Sequence, residues 1–312
     1  MSTTAKDHLI AIGRSRYLYD AIRRLAERGY SFKAIVTEEA YDEYDVKHAD
    51  FERLAAELGC AFFMTKDVDT EAIRAVVAQH KVRVAISANW KYTIAPGFLD
   101  LFECGVLNFH LGNLPDYKGN ATLNWSIING ESHVNGNIHK MAAVLDAGDV
   151  VVRKSIPITP QTYVADLIRQ AEMEAPALYE QAVARVLADP QACEIKGTTK
   201  GLRCYPRLPE DGQIDWRQPA EEIGRLVRAS SKPYQGAFSF LNGERVTIWR
   251  AAPLVPADRY LAVPGHVIEV SRDSGFITVA CGSGLLQLHD IERNGELAAP
   301  AALIRSIRLR FK

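Results

Sequence analysis

Residues 8–38, "HLIAIGRSRYLYDAIRRLAERGYSFKAIVTE", decide the fold. A short apolar run ends in Gly13. Next, "YLYDAIRRLAERG" spaces its apolar residues as a helix does and stops at Gly29, and "FKAIVTE" is a β-branched run with the look of a buried strand. The alternation then repeats. "DFERLAAELGC" at 50–60 is helical and stops at Gly59, "AFFMT" follows, "DTEAIRAVVAQHKV" at 69–82 is helical again, and "VRVAISA" and "GVLNFH" are two more apolar runs. Buried strands alternating with helices indicate βαβ units on a parallel sheet, so the first part of the chain is expected to be Rossmann-like. Ligands of such sheets lie outside the carboxyl ends of the strands, which places Gly13, Ala88 to Tyr92 and the segment after Asn108 on the functional edge.

Past the first third the pattern changes. "YVADLIRQAEMEAPALYEQAVARVL" at 163–187 reads as one long amphipathic helix with a candidate kink at Pro176. "ADPQACEIKGTTKGLRCYPRLPEDGQ" at 188–213 breaks periodicity as a linker does. In "AFSFLNGERVTIWRA" at 237–251, Asn242-Gly243 between two strand-like runs signals a hairpin, and "GHVIEV", "GFITVAC" and "GLLQLHDI" continue as short strands. The expected architecture is therefore α/β: a Rossmann-like domain over residues 1–200 and a smaller β-rich, OB-like domain over 201–312.

Composition bounds the function classes. The 312 residues are 47% hydrophobic and 24% charged with a net charge of −1, a balance that argues against a protein built to wrap nucleic acid phosphates. Five cysteines, Cys60, Cys104, Cys193, Cys204 and Cys281, are scattered without a CxxC pair or a histidine at zinc-ligand spacing, so no metal site is expected. "MSTTAKDHLIAIG" lacks the apolar core of a signal peptide, and no run is apolar enough to span a membrane; the expected compartment is the cytoplasm. The first turn, "GRSRYLYD", holds one glycine followed by bulky and charged residues. It is not a dinucleotide fingerprint, and the fold alone does not imply a nicotinamide enzyme.

Two stretches could carry chemistry. In "NFHLGNLPDYKG" at 108–119, Asn108 and His110 share one face of a strand because side chains two apart point the same way. Such a histidine suits a general base or a donor to a developing oxyanion, and equally suits a hydrogen-bonded structural pair. "MAAVLDAGDVVV" at 141–152 sets Asp146 and Asp149 around a glycine. A carboxylate beside an imidazole fixes its tautomer and raises its pKa, though "DAG" by itself is also a common turn.

Together, "NFHLGNLPDYKGNATLNWSIINGE" and "HKMAAVLDAGDVV" resemble the core of the folate-dependent formyltransferases, whose pattern is roughly N-x-H-x-S-L-L-P-x-x-x-G followed by L-D-x-G-D. "IDWRQPAEEIGRLVRASSKPYQGAFSFLNGERVTIWRA" at 214–251 is similar to the start of the C-terminal domain in the tRNA and sugar branches, so the resemblance spans most of the chain. It implies a catalytic Asn108, His110 and Asp146. An acceptor amine would attack the formyl carbon of 10-formyltetrahydrofolate, His110 and Asn108 would stabilise the oxyanion, and Asp146 would orient His110 and help remove the amine proton. No metal is required. The chain departs from the pattern at Gly112, where serine is usual, at Asn113, where leucine is usual, and at Thr122, where proline commonly follows "G-x-A".

The acceptor is read by analogy. The tRNA branch carries a basic loop after its second strand, whereas "TEEAYDEYDVKHADFE" at 37–52 is acidic and would repel an RNA backbone. "YKGNATLNW" and "NIHKM" look closest to the enzyme that formylates a nucleotide-linked 4-amino-arabinose and to its amino-sugar relatives. That resemblance points to Asn113, Tyr117, Lys118, Gly119 and Asn120 for the nucleotide sugar, and to Trp90, Lys91, Tyr92 and Ile94 for the folate. Partners are then a small molecule, neither nucleic acid nor membrane, with a homodimer as a possible assembly. Competing readings are hydrolysis of 10-formyltetrahydrofolate, formylation of another amine such as an aminoacyl-tRNA or an amino acid derivative, and a non-catalytic binding module. The family's hydrolase carries an additional N-terminal domain, for which no room is expected before "HLIAIG".

Overall fold

The computed structural model describes residues 7–40, 44–255 and 260–312. Its elements run β1 (His8–Gly13), α1 (Arg16–Glu27), β2 (Ser31–Thr37), α2 (His48–Leu58), β3 (Ala61–Met64), α3 (Glu71–His80), β4 (Val84–Ala88), α4 (Pro96–Leu99), β5 (Val106–Leu111), β6 (Lys118–Gly119), α5 (Thr122–Ile128), β7 (His133–Lys140), β8 (Val150–Pro157), α6 (Val164–Ala188) and β9 (Arg203–Cys204). Then come α7 (Ala220–Ser230), β10 (Ala237–Leu241), β11 (Glu244–Leu254), β12 (Val267–Val270), β13 (Ile277–Ala280), β14 (Leu285–Arg293), β15 (Glu296–Ala298) and α8 (Pro300–Leu303).

Two compact units result. The first comprises residues up to Thr122 with His133–Pro157 and Ile168–Cys204; the second comprises Leu123–Ser132, Ile158–Leu167 and Tyr205–Lys312. The first is a Rossmann-like α/β unit around a seven-stranded sheet in the order β3-β2-β1-β4-β5-β7-β8. β1 to β5 are mutually parallel, and β7 runs antiparallel to β5 and β8 antiparallel to β7. α1 forms because Leu18, Ala21, Ile22 and Leu25 recur at helical spacing and all bury. Gly59 ends α2 in the left-handed conformation, and the Thr70 hydroxyl caps α3 by accepting from the Ile73 N–H. α6 runs unbroken from Val164 to Ala188 with Pro176 inside it, the one long helix that the periodicity indicates.

The sheet holds β5 from behind. Phe109, between Asn108 and His110, points to the opposite face and packs against Tyr17 and against Tyr179 of α6, with ring centroids 5.1 and 6.2 Å away. The Tyr179 hydroxyl donates to the Ser87 carbonyl, tying α6 to β4 beside β5.

In the second unit, β10-β11-β14-β13-β12 form an antiparallel sheet with β15 on β14. Residues 309–312 link its two edges: Phe240 and Lys312 exchange backbone hydrogen bonds, while Val267 donates to Leu309 and Phe311 to Gly265. Trp216, Val227, Ile248, Leu288 and Phe311 fill its interior. Two earlier segments, Leu123–Ser132 and Ile158–Leu167, belong to this unit. The Asn124 amide donates to the Ala229 carbonyl at 2.7 Å, and the buried Arg228 donates to the carbonyls of Thr159 and Thr162 at 3.3 and 2.9 Å. Among the described residues no helix is long and apolar enough to cross a membrane.

Candidate active site

β5 and β7 pair so that Asn108 lies opposite His139 and His110 opposite Asn137. Residues directly opposite in an antiparallel pair project on the same face, so two Asn-x-His segments, 108–110 and 137–139, face each other head to tail. Asp146 reaches the same place from the turn after β7, with its backbone in the left-handed region (φ 52°), which a short polar side chain tolerates. His110 and Asp146 are both 8% exposed and His139 is 1% exposed.

The contacts form a connected network. Asp146 Oδ2 accepts the Gly119 N–H at 2.8 Å and lies 3.5 Å from His110 Nδ1, while its Oδ1 lies 3.5 Å from His139 Nε2. Asn108 Nδ2 lies 3.1 Å from His139 Nε2, and His139 Nδ1 lies 3.0 Å from the Lys140 carbonyl. On its other side, His110 Nε2 lies 2.7 Å from the Tyr117 carbonyl. A carbonyl only accepts, so this nitrogen carries the proton and is already a donor. Asn137 donates to the carbonyls of His110 and Gly112 at 3.0 and 2.7 Å, fixing the backbone that carries the imidazole.

Electrostatics separate the acid from the base. Burial pushes His110 below its ordinary value; Asp146 pulls the other way, His139 adds to the lowering, and the net shift is downward. Burial alone would raise Asp146, but the imidazoles of His139 and His110 and the Gly119 N–H outweigh it and hold the carboxyl well below the usual range. The site thus keeps a neutral imidazole beside an ionised carboxylate.

The other sequence candidates fall in different places. Lys118, expected to meet the nucleotide sugar, is buried, and its ammonium donates to the carbonyls of Thr198 and Lys200. The lysine is spent on backbone because β6 pairs with β9, which draws the 198–204 segment over it. Asn113 donates to the His133 carbonyl at 3.1 Å and accepts the Asn135 N–H at 2.9 Å, bracing the start of β7. Tyr117 contributes its carbonyl and Gly119 its N–H to the cluster around His110 and Asp146; of the five acceptor candidates only Asn120 is exposed. Asp149 binds the Gly197 N–H and Lys196 and so anchors the segment after α6.

Trp90, Lys91, Tyr92 and Ile94 follow β4, the strand beside β5 at the same carboxyl edge. Lys91 and the Tyr92 hydroxyl both turn to Glu38, at 3.0 and 2.8 Å, and Glu38 also pairs with Arg14 at 2.9 Å. Ile94 is core, and Trp90 packs partly against that core while its buried indole N–H has no protein partner. The acidic stretch is less free than its sequence implies: Glu38, Asp45 and Asp50 are paired with Arg14, Arg16 and Arg53. Its residues 41–43 lie outside the described residues. Sequence reasoning misses His139; the repeated Asn-x-His is the available signal. Among the described residues, no group of three or more His, Cys, Asp or Glu side chains is placed to hold a metal ion.

The Asn, His and Asp cluster lies at the carboxyl edge of a Rossmann-like sheet, with an antiparallel β unit following, and the chain belongs to the formyl transferase family. Residues 5–183 match the formyl transferase model and 208–307 match the formyl transferase C-terminal domain. Among solved structures, it is similar to HypX from Aquifex aeolicus in complex with tetrahydrofolic acid, with 17% identity and a TM-score of 0.61 over 96% of this chain and 47% of that one. The chain therefore spans about half the length of the HypX chains it matches. It is also similar to an N-formyltransferase from Helicobacter canadensis in complex with folinic acid and dTDP-3-aminofucose, with 14% identity and a TM-score of 0.65 over 90% and 98% of the two chains. A methionyl-tRNA formyltransferase from Clostridium thermocellum matches at 16% identity and a TM-score of 0.53, over 79% and 93%. These likenesses are of fold.

Proposed function

We propose that this protein transfers the formyl group of 10-formyltetrahydrofolate to the primary amine of a nucleotide-linked amino sugar. The observation that carries the reading is the cluster of half-buried Asn108 with buried His110 and Asp146 at the sheet's carboxyl edge. The folate supplies an activated formyl group. The unpartnered Trp90 N–H, just after β4 at the carboxyl edge, fits the edge of a heteroaromatic ring, so Trp90 would hold the pterin while Ile94 stays in the core beneath. Lys91 and Tyr92, engaged by Glu38, shape the wall behind it.

In this reading Asn108 and His110 donate hydrogen bonds to the formyl oxygen as it takes up negative charge. His110 does so by exchanging the Tyr117 carbonyl for the incoming oxygen. Asp146, ionised and close to both imidazoles, favours positive charge on His110 and takes the proton that the attacking amine loses; the tetrahedral carbon then breaks its bond to N10, which receives that proton, so tetrahydrofolate and the formamide leave. The amino-sugar acceptor is supported by the match to a sugar N-formyltransferase over nearly the whole of both chains. Charge repulsion of tRNA supports it less than the sequence suggests, because several carboxylates of the 37–52 stretch are paired. The same residues acting on water would make a hydrolase.

Tetrahydrofolate release, measured with and without dTDP-linked amino sugars, tests the reading. Release that depends on the amine is expected; release without it would support the hydrolase, and none under any condition would sink both. His110→Ala is expected to lower transfer by about a hundredfold or more while leaving folate affinity nearly unchanged. Near-normal turnover in that variant would refute the role assigned to His110.

A further inference from the structure

His139 is the buried imidazole to which the proposed chemistry gives no step of its own, and its two nitrogens face different partners. The Lys140 carbonyl, 3.0 Å from Nδ1, can only accept, so Nδ1 holds a proton. In a neutral imidazole the other nitrogen is then an acceptor. Asn108 Nδ2, 3.1 Å away, is the nearer of the two groups that approach it; Asp146 Oδ1 is at 3.5 Å. An amide has two orientations that occupy nearly the same space, one presenting N–H groups and the other oxygen. Facing an acceptor nitrogen, only the first forms a hydrogen bond, and the second sets two lone pairs against each other.

We infer that His139 is a positioning residue: by presenting an unprotonated Nε2 to Asn108 it fixes the orientation of that amide, leaving the second N–H of Asn108 as the donor for the reacting carbonyl. His139 is rigidly held for this purpose. It sits directly opposite Asn108 in the β5–β7 pairing, with its ring 6.1 Å from that of His110 and nearly perpendicular to it. Without this imidazole, Asn108 could present its oxygen to the formyl oxygen, which would repel developing negative charge where stabilisation is needed. A second Asn-x-His on the neighbouring strand thus supports the first.

The catalytic consequence rests on the formyl-transfer reading, so the test has one arm that does not. Nitrogen-15 NMR of the intact chain, with His139 assigned by comparison with His139→Phe, is expected to show the Nδ1–H tautomer near neutral pH. It should also show an Asn108 side-chain amide whose resonances shift in His139→Phe. A doubly protonated or Nε2–H His139, or an Asn108 amide indifferent to the substitution, would overturn the proposal whether or not turnover is seen. In the kinetic arm, His139→Phe should lower kcat about tenfold or more at unchanged KM for 10-formyltetrahydrofolate. His139→Gln, which restores an acceptor oxygen, should recover part of the loss, and His139→Phe should cost nothing further in an Asn108→Ala background. Additive losses, or a Gln variant no better than Phe, would show that His139 does not act through Asn108. If His139→Phe does not fold, comparison with His139→Gln supplies the assignment, and the wild-type tautomer and the Gln variant's turnover decide the matter. If the wild type transfers no formyl group, the function reading fails alone.

Discussion

At the scale of single residues, the departures from the family pattern have local physical causes. Gly112 stands where serine is usual because there is no room for a side chain: a β-carbon would lie 2.5 Å from the Tyr117 carbonyl oxygen and 2.7 Å from His110 Nε2. The missing side chain is what lets that carbonyl reach the imidazole. Gly112→Ser, which restores the family residue, should therefore push the two apart, lowering turnover about tenfold or more and costing about 1–3 kcal/mol of stability. Equal or higher activity, measured by tetrahydrofolate release alongside a thermal melt, would show that the Tyr117 contact is dispensable. Asn113 and Thr122 are also fastened. Asn113 bridges the His133 carbonyl and the Asn135 N–H, and the Thr122 hydroxyl donates to the Leu111 carbonyl at the start of α5.

At the scale of elements, the segment after α6 is strapped across the catalytic loop. Lys118 N–H donates to the Leu202 carbonyl, Asn120 N–H to that of Cys204, and the Leu202 N–H to Asp116. The buried Lys118 ammonium adds Thr198 and Lys200. Because the neighbouring Gly119 N–H holds Asp146, slack in this strap reaches that carboxylate. Lys118→Met keeps the aliphatic stem but leaves two carbonyls without their donor, a loss of about 1–3 kcal/mol. Faster hydrogen exchange and proteolysis over residues 197–204 are expected, with lower turnover. Unchanged protection there would mean that the strap is held by its backbone pairing alone.

At the scale of the whole molecule, the buried site makes stability depend on pH. A neutral His110 in the folded state competes with an unfolded chain that takes up a proton near pH 6.5, so its contribution is full above that value and declines as pH falls below it. Asp146, held below its ordinary range, contributes above about pH 4 and loses that contribution only as pH falls through its depressed folded value. The melting temperature of the first unit should thus drop in two stages on acidification. In Asp146→Asn the second stage should be missing, and the gap to wild type should narrow below about pH 4. A gap that is constant with pH would contradict the assigned ionisation.

The amino-acid sequence by itself determines the alternating strands and helices, because the period of burial and the glycine stops are properties of each segment alone. Gly29, Gly59 and the Asn242-Gly243 hairpin lie where those local signals put them. The period of the strand likewise sets Asn108 and His110 on one face. What only the tertiary structure decides are the partners. The pairing of β5 with β7 sets His139 against Asn108, the turn to Asp146 closes the cluster, and the β6–β9 pairing buries Lys118. The physical reason is that a side chain's hydrogen-bonding role belongs to the atoms opposite it, and strand register brings those atoms from dozens of residues away.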